Sequence, residues 1–235
     1  MECCVGNVLR PLLLAVRIGR GWGLYFVLNW GARRNAKGHV GMIYLVLGLV
    51  IFLGVHSTRM VAGGRRTRTR TRARLGEGAY KGIYSLVSLL GFALIVWGFG
   101  VARQQPVQLW SPPVAMRHVA ALLTLVSFVL LAAAYVPGNG IKARVHHPMV
   151  LGVKVWALAH LLANGTVAHM VLFGSFLAWA VWNFIASRQR DRAEGVQYPP
   201  GRAGATAVTV VAGLVAWAVF ALLLHGWLMG VKPFG

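Results

Sequence analysis

Histidine is the residue type whose positions in this chain could support chemistry in an apolar environment. The sequence holds 8 His but only 4 Asp and Glu residues in 235 positions. His56 and His160 each lie inside a long apolar run, away from its ends. A neutral imidazole can bind a metal or accept a proton through one ring nitrogen. Ionisable side chains inside a membrane are costly and mark functional candidates. His56 and His160 are therefore candidates for a cofactor or substrate role.

Other polar side chains in or near the apolar runs have simpler alternatives. Lys154 lies seven residues after His147, so both occupy one face of a helix. Lys154 can nevertheless pair with a backbone carbonyl or extend to the membrane surface. Three further histidines lie near the ends of runs, where water can hydrate the imidazole and no functional role is needed to explain it. They are His118, His169 and His225. The runs contain no Asp or Glu, which excludes carboxylate relays and a His-Glu-x-x-His zinc site.

The elements that position these histidines must cross a membrane. The chain is 57% hydrophobic and 12% charged, whereas a soluble domain carries roughly 25% charged residues. Lipid cannot satisfy free backbone groups, so an open chain crosses as helices of about 20 residues. The sequence predicts an all-α integral membrane bundle of about six transmembrane helices. The predicted spans are 42–62, 83–101, 116–136, 148–163, 166–186 and 205–228.

The first 41 residues differ from the rest of the chain. Their moderately apolar stretch is interrupted by Arg17, Gly19 and Arg20, whereas Met42 opens a clean apolar run. We predict that translation starts at Met42 and that residues 1–41 are an N-terminal extension from a mis-assigned start. The alternative is an additional interfacial or marginal helix. Residues 42–235 are the predicted six-helix membrane domain.

Charge predicts the orientation of the helices and the nature of the partner. The chain has 24 Lys and Arg residues, and most lie in the loops after the first, third and fifth spans. The opposite loops and C-terminus hold only Arg103, Arg117 and Lys232. Because basic loops stay in the cytoplasm, the first, third and fifth loops are predicted to be cytoplasmic. The basic residues then face lipid headgroups, so we expect the lipid bilayer and no nucleic acid as partner.

Three sequence segments carry a family resemblance. Residues 48–57 read GLVIFLGVHS, residues 147–152 read HPMVLG, and Trp156 precedes HLLANG at 160–165. Together they resemble the NnrU family over roughly residues 42–230. The resemblance implies a multi-pass protein of the bacterial inner (cytoplasmic) membrane. It also implies a role in denitrification, in the expression or activity of nitric oxide or nitrite reductase, with that machinery as a partner.

The same family is similar to plant and cyanobacterial 15-cis-zeta-carotene isomerase, a membrane enzyme that contains haem b. This resemblance implies that His56 and His160 bind a haem iron. Ala157 stands where the isomerase has a cysteine, which puts thiolate ligation in doubt. Two functions remain open. One is an accessory haem protein that senses or handles electrons or nitric oxide. The other is a haem-dependent isomerase or redox enzyme that acts on a lipid-soluble substrate such as a carotenoid.

A methyltransferase is the third and disfavoured alternative. Isoprenylcysteine and phospholipid methyltransferases carry an Arg-His-Pro-x-x-x-Gly motif before a span. Here His146 replaces the arginine, although Gly152 falls at the expected place. The downstream residues Asp191, Glu194 and Tyr198 do not reproduce the Arg and Glu pattern of the methyl-donor site.

Overall fold

The computed structural model of the chain describes residues 22–58, 60 and 64–234, with side chains for 38–58, 60 and 69–234. The described residues fold into helices with no strand beyond isolated bridges. The helices are α1 (Trp22–Ser57), α2 (Gly64–Leu75), α3 (Glu77–Ala102), α4 (Ala115–Tyr135), α5 (Gly140–Val145), α6 (Pro148–Ala163), α7 (Val167–Glu194), α8 (Ala203–Val219), a π-helical segment (Phe220–Leu224) and α9 (His225–Met229).

Five of these helical stretches are long and apolar enough to cross a membrane. They are Gly38–Ser57, Glu77–Ala102, Ala115–Tyr135, Val167–Glu194 and Ala203–Met229. The shorter apolar helix Pro148–Ala163 coincides with the predicted fourth span. The predicted all-α membrane bundle of about six helices is confirmed.

Several helix boundaries differ from the predicted spans. Helix α1 continues without a break through Met42, and residues 1–21 lie outside the described part of the chain. The start of translation at Met42 therefore stays a prediction. The arginine-rich stretch after the first span forms α2 rather than an irregular loop. Helix α7 extends beyond its apolar part to Glu194, where Gly195 adopts a left-handed φ of 62° that ends the helix.

The bundle is a series of packed helices. Helix α1 packs along α3 and also contacts α7, and α6 packs between α7 and α4. Helix α8 lies against α4 on the far side. Helices α2 and α5 and residues 187–202 lie at the same end of the bundle, which we call the basic end. The apolar core includes residues of α1, α3, α6 and α7, so both candidate histidines lie on helices that build it.

Glycines allow α1 and α3 to approach closely. A side-chain carbon added at Gly48 would lie 2.6 Å from the backbone nitrogen of Ile95. One added at Gly98 would collide with the backbone at Leu45. Small residues at helix contacts are a common basis of packing in membranes, where the hydrophobic effect does not drive association. This contact sets the position of His56 against α3.

Candidate functional site

His56 is fixed by its own helix. Its Nδ1 lies 2.7 Å from the carbonyl oxygen of Phe52, one turn earlier in α1. A carbonyl can only accept a hydrogen bond, so Nδ1 carries the proton and Nε2 of the neutral ring keeps its lone pair. The imidazole also contacts the rings of Phe52 at 4.3 Å and Tyr84 at 5.6 Å between centroids. This orientation presents Nε2 as a possible metal ligand.

His160 repeats this arrangement on α6. Its Nδ1 lies 2.8 Å from the carbonyl oxygen of Trp156. Its own carbonyl accepts a hydrogen bond of 2.9 Å from Nδ2 of Asn164, at the end of the helix. The ring stacks on Phe173 of α7 with centroids 4.5 Å apart. Trp156, His160 and Asn164 are spaced by four residues, and hydrogen bonds join each to the next along α6.

The two candidate histidines lie at opposite ends of a series of aromatic rings. From His56 the series runs through Phe52, Phe176 and Trp156 to His160, with centroids 4.3, 6.0, 5.6 and 5.1 Å apart in turn. No contact between the two imidazoles occurs in the described residues. Nor do those residues contain a group of three or more His, Cys, Asp and Glu side chains that could hold a metal ion.

His160 shares an aromatic neighbour with His169. His169 stacks on the same Phe173, with centroids 6.0 Å apart, and its Nδ1 lies 2.6 Å from Oγ1 of Thr166. His225 follows the π-helical segment, at the start of α9. Such π-helical segments often occur at functional sites. His160 therefore shares Phe173 with His169, and its ring contacts differ from those of His56.

A cavity of about 360 Å³ opens beside His56 at the basic end. Helix α2 contributes Arg72, the end of α1 contributes His56 and the following Thr58, and α3 contributes the remaining side chains. Apart from His56 and Arg72, the lining consists of Thr58, Tyr80, Lys81, Tyr84 and Ser85. Volumes of this order are typical of small-molecule sites. The cavity combines two cations with several hydroxyl groups next to a candidate metal ligand.

Three buried polar side-chain atoms have no hydrogen-bond partner among the described residues. They are Nε of Arg72, Oγ of Ser88 and Nε1 of Trp179. Arg72 lines the cavity, and Trp179 packs edge-on against His56 with centroids 6.4 Å apart. Ser88 lies one helical turn beyond Tyr84 on α3. Buried polar groups normally find partners, so the orphaned Nε of Arg72 supports a ligand or water in the cavity.

A second polar cluster lies at the basic end, where α6 begins. His147 Nε2 lies 2.7 Å from Oδ2 of Asp191, and Tyr198 donates a 2.8 Å hydrogen bond to the same oxygen. The His146 ring stacks on Tyr198 with centroids 4.1 Å apart, and Arg188 contacts Nδ1 of His146. Burial, followed by the hydrogen bond to Asp191 and its charge, raises the pKa of Tyr198 to about 12. The phenol therefore stays protonated and donates at neutral pH.

A strained backbone turn places these two histidines. His146 has φ 66° and ψ −46°, and the His147 amide donates to the Val145 carbonyl at 2.8 Å. This is the positive-φ γ-turn, which is rare because it is strained. The pairing of His147 with Asp191 is not predicted from the sequence. The available signal was the adjacent His146-His147-Pro148 together with a carboxylate just past an apolar run.

Lys154 and His147 share a face, as their seven-residue spacing predicts. The Lys154 ammonium lies 5.4 Å from the centre of the Phe184 ring, and the His147 ring packs edge-on against the same phenylalanine at 6.3 Å. The lysine thus gains a cation–π contact inside the bundle. The structure describes no carboxylate partner for it.

Comparison with known proteins places this arrangement in a family. No curated protein and no solved structure matches the chain. The sequence model described as NnrU protein matches residues 44–233, which include both candidate histidines, the cavity and the polar cluster. The match covers most of the chain and confirms the predicted resemblance. The chain is a member of the NnrU family.

Proposed function

We propose that this membrane protein supports nitrogen-oxide respiration in the bacterial inner membrane, and that it does so by binding haem b through His56 and His160. The observation that carries the haem proposal is the matched geometry of the two imidazoles. Each donates Nδ1–H to the carbonyl one turn earlier and leaves Nε2 free. Metal-binding histidines usually make this kind of second hydrogen bond, which fixes the tautomer and raises ligand basicity.

The surroundings of His56 also fit such a group. The imidazole lines a cavity together with Arg72, which holds an orphaned donor, and packs edge-on against Trp179, which holds another. Haem b supplies an iron that can bind nitric oxide or pass single electrons when it is bound. The chain's own contribution is to hold each Nε2 in place, to surround it with aromatic side chains and to limit access of water.

Because the two imidazoles are separated, the haem can be bound in two ways, either by both histidines or by one of them. A haem held by both His56 and His160 requires Phe52, Phe176 and Trp156 to move aside. A haem held by one of them requires no such rearrangement. Variants of the two histidines distinguish these two ways of binding, because a shared haem is lost when either ligand is removed.

Complementation tests the respiratory role. A strain that lacks the gene should grow poorly on nitrite and accumulate nitric oxide without oxygen, and the wild-type chain should restore growth. We expect His56→Ala and His160→Ala to fail, whereas His118→Ala, which alters an exposed imidazole, should complement. Full complementation by both ligand variants at normal membrane abundance would refute the role of these residues.

A further inference from the structure

We propose that the cavity between α2 and α3 binds a phosphate group, presented by an anionic phospholipid of the leaflet at the basic end. The proposal does not require haem, although the cavity is the one that His56 lines. It rests on the chemistry of the cavity mouth, where Arg72 and Lys81 provide positive charge. Thr58, Tyr80 and Ser85 add hydroxyl groups to the same lining.

The donor set matches a phosphate. A phosphate diester offers several acceptor oxygens and one negative charge, and guanidinium groups bind such oxygens with short, charge-assisted hydrogen bonds. Arg72 holds a buried Nε without a partner in the described residues, although the rest of its side chain is partly exposed. An oxygen in the cavity would supply the missing acceptor. The cation of Arg72 also lies 5.5 Å from the Tyr80 ring centre, which holds the guanidinium at the cavity.

The position of the cavity favours a lipid as the source of the phosphate. It lies where α2, an arginine-rich helix, meets the start of the membrane-spanning part of α3. Beyond the cavity, α3 presents a bare apolar face on which Ile83, Leu86 and Leu90 are 51%, 68% and 56% exposed. Acyl chains can cover this face while the headgroup enters the cavity. Anionic lipids also concentrate at membrane surfaces that carry basic segments.

Glu77 competes with the proposed ligand. Its carboxylate lies 3.1 Å from Nη2 of Arg72 and 2.9 Å from Nζ of Lys81, and its side chain is 65% exposed. An entering phosphate must share these cations with Glu77 or displace it. Removal of the carboxylate should therefore strengthen phosphate binding, whereas removal of the Arg72 charge should weaken it. Opposite effects of two neighbouring substitutions distinguish a specific site from general attraction to a basic helix.

The test measures lipid binding to the full chain. Delipidated protein in neutral detergent is titrated with phosphatidylglycerol, and bound lipid is counted by native mass spectrometry, with phosphatidylcholine as the uncharged comparison. We expect Arg72→Gln to weaken phosphatidylglycerol binding by about tenfold or more, since a charge-assisted bond is lost. Glu77→Gln should tighten it. Arg74→Gln is the matched control, because Arg74 is exposed on the same helix and does not line the cavity.

The outcomes separate the possible occupants. Equal losses for Arg72→Gln and Arg74→Gln would overturn the proposal, because the attraction would then be unspecific. Competition by inorganic phosphate with no binding of intact lipid would overturn the lipid source. Loss of haem with unchanged lipid binding in Arg72→Gln would also overturn it and assign the cation to haem carboxylates. If Arg72→Gln does not fold, Lys81→Gln tests the same contact.

Discussion

The Nε2 atom of His147 lies 2.7 Å from Oδ2 of Asp191, and this contact joins the start of α6 to the end of α7. Tyr198 donates to the same oxygen from the segment that leads to α8. One carboxylate thus ties together three parts of the chain at the basic end. The side chains of His147 and Asp191 are only 19% and 18% exposed, so water screens their contact incompletely.

Removal of this carboxylate should lower stability. We expect Asp191→Ala to reduce the free energy of unfolding by about 1–3 kcal/mol, because His147 and Tyr198 both lose their acceptor. Tyr198→Phe keeps the stack on His146 and removes one hydrogen bond, so its loss should be smaller, about 1 kcal/mol. Thermal unfolding in mild detergent measures both. An Asp191→Ala protein with the wild-type midpoint would show that the contact contributes nothing.

The close packing of α1 against α3 predicts that the stability of the protein depends strongly on Gly98. Gly98→Val should prevent close packing, because the added carbon collides with the backbone near Leu45. Gly100→Val is the matched control on the same helix, since open space surrounds that position. We expect low membrane abundance or early unfolding for Gly98→Val and near-normal behaviour for Gly100→Val. Equal abundance and thermal midpoints for the two variants would contradict the described helix contact.

The arginine-rich helix α2 is predicted to face the cytoplasm. In a background with Cys3 and Cys4 replaced by serine, a cysteine at Thr71 should resist a membrane-impermeant maleimide in intact cells. A cysteine at Ser111, exposed in the loop between α3 and α4, should react readily. Labelling of Thr71→Cys before cell lysis would reverse the predicted orientation.

Lys154 tests whether the interior of the bundle at the basic end has a function. Lys154→Met should insert normally, because it removes a charge that is costly to bury. It also removes the cation–π contact with Phe184, which is worth about 0.5–2 kcal/mol. Growth on nitrite with normal abundance would identify Lys154 as a tolerated charge. Loss of growth at normal abundance would identify a functional residue.

The sequence predicted the elements better than their contacts. The span 148–163 matches α6 because Pro148 fixes the first helical turn and the apolar run ends where the helix ends. The length of α7 was underestimated, because the length of an apolar run predicts only the part of a helix that lies in the membrane. Helix α7 continues through charged residues to its C-cap at Gly195.

The contacts depend on how each helix is rotated about its axis relative to its neighbours, and this rotation cannot be predicted from the local sequence. His147 and Asp191 are 44 residues apart, and their pairing depends on how α6 packs against α7. The position of His56 depends on the glycine contact between α1 and α3. The aromatic side chains between His56 and His160 come from α1, α7 and α6, so their placement depends on how these three helices pack. The positions of His56 and His160 within apolar runs made them candidates from the sequence, but the residues that surround them could be assigned only from the three-dimensional arrangement.

Haem content of the purified protein tests the central proposal most directly. The full chain should be expressed with haem supply, purified in mild detergent and measured by its Soret band and by pyridine haemochrome, per mole of protein. We expect haem b in the wild type and in His118→Ala. We expect a loss in His56→Ala and in His160→Ala if the two share one iron, and a loss in one of them if a single histidine binds it. Wild-type haem content in both ligand variants, with intact folding, would contradict the account, as would absence of haem from the wild type.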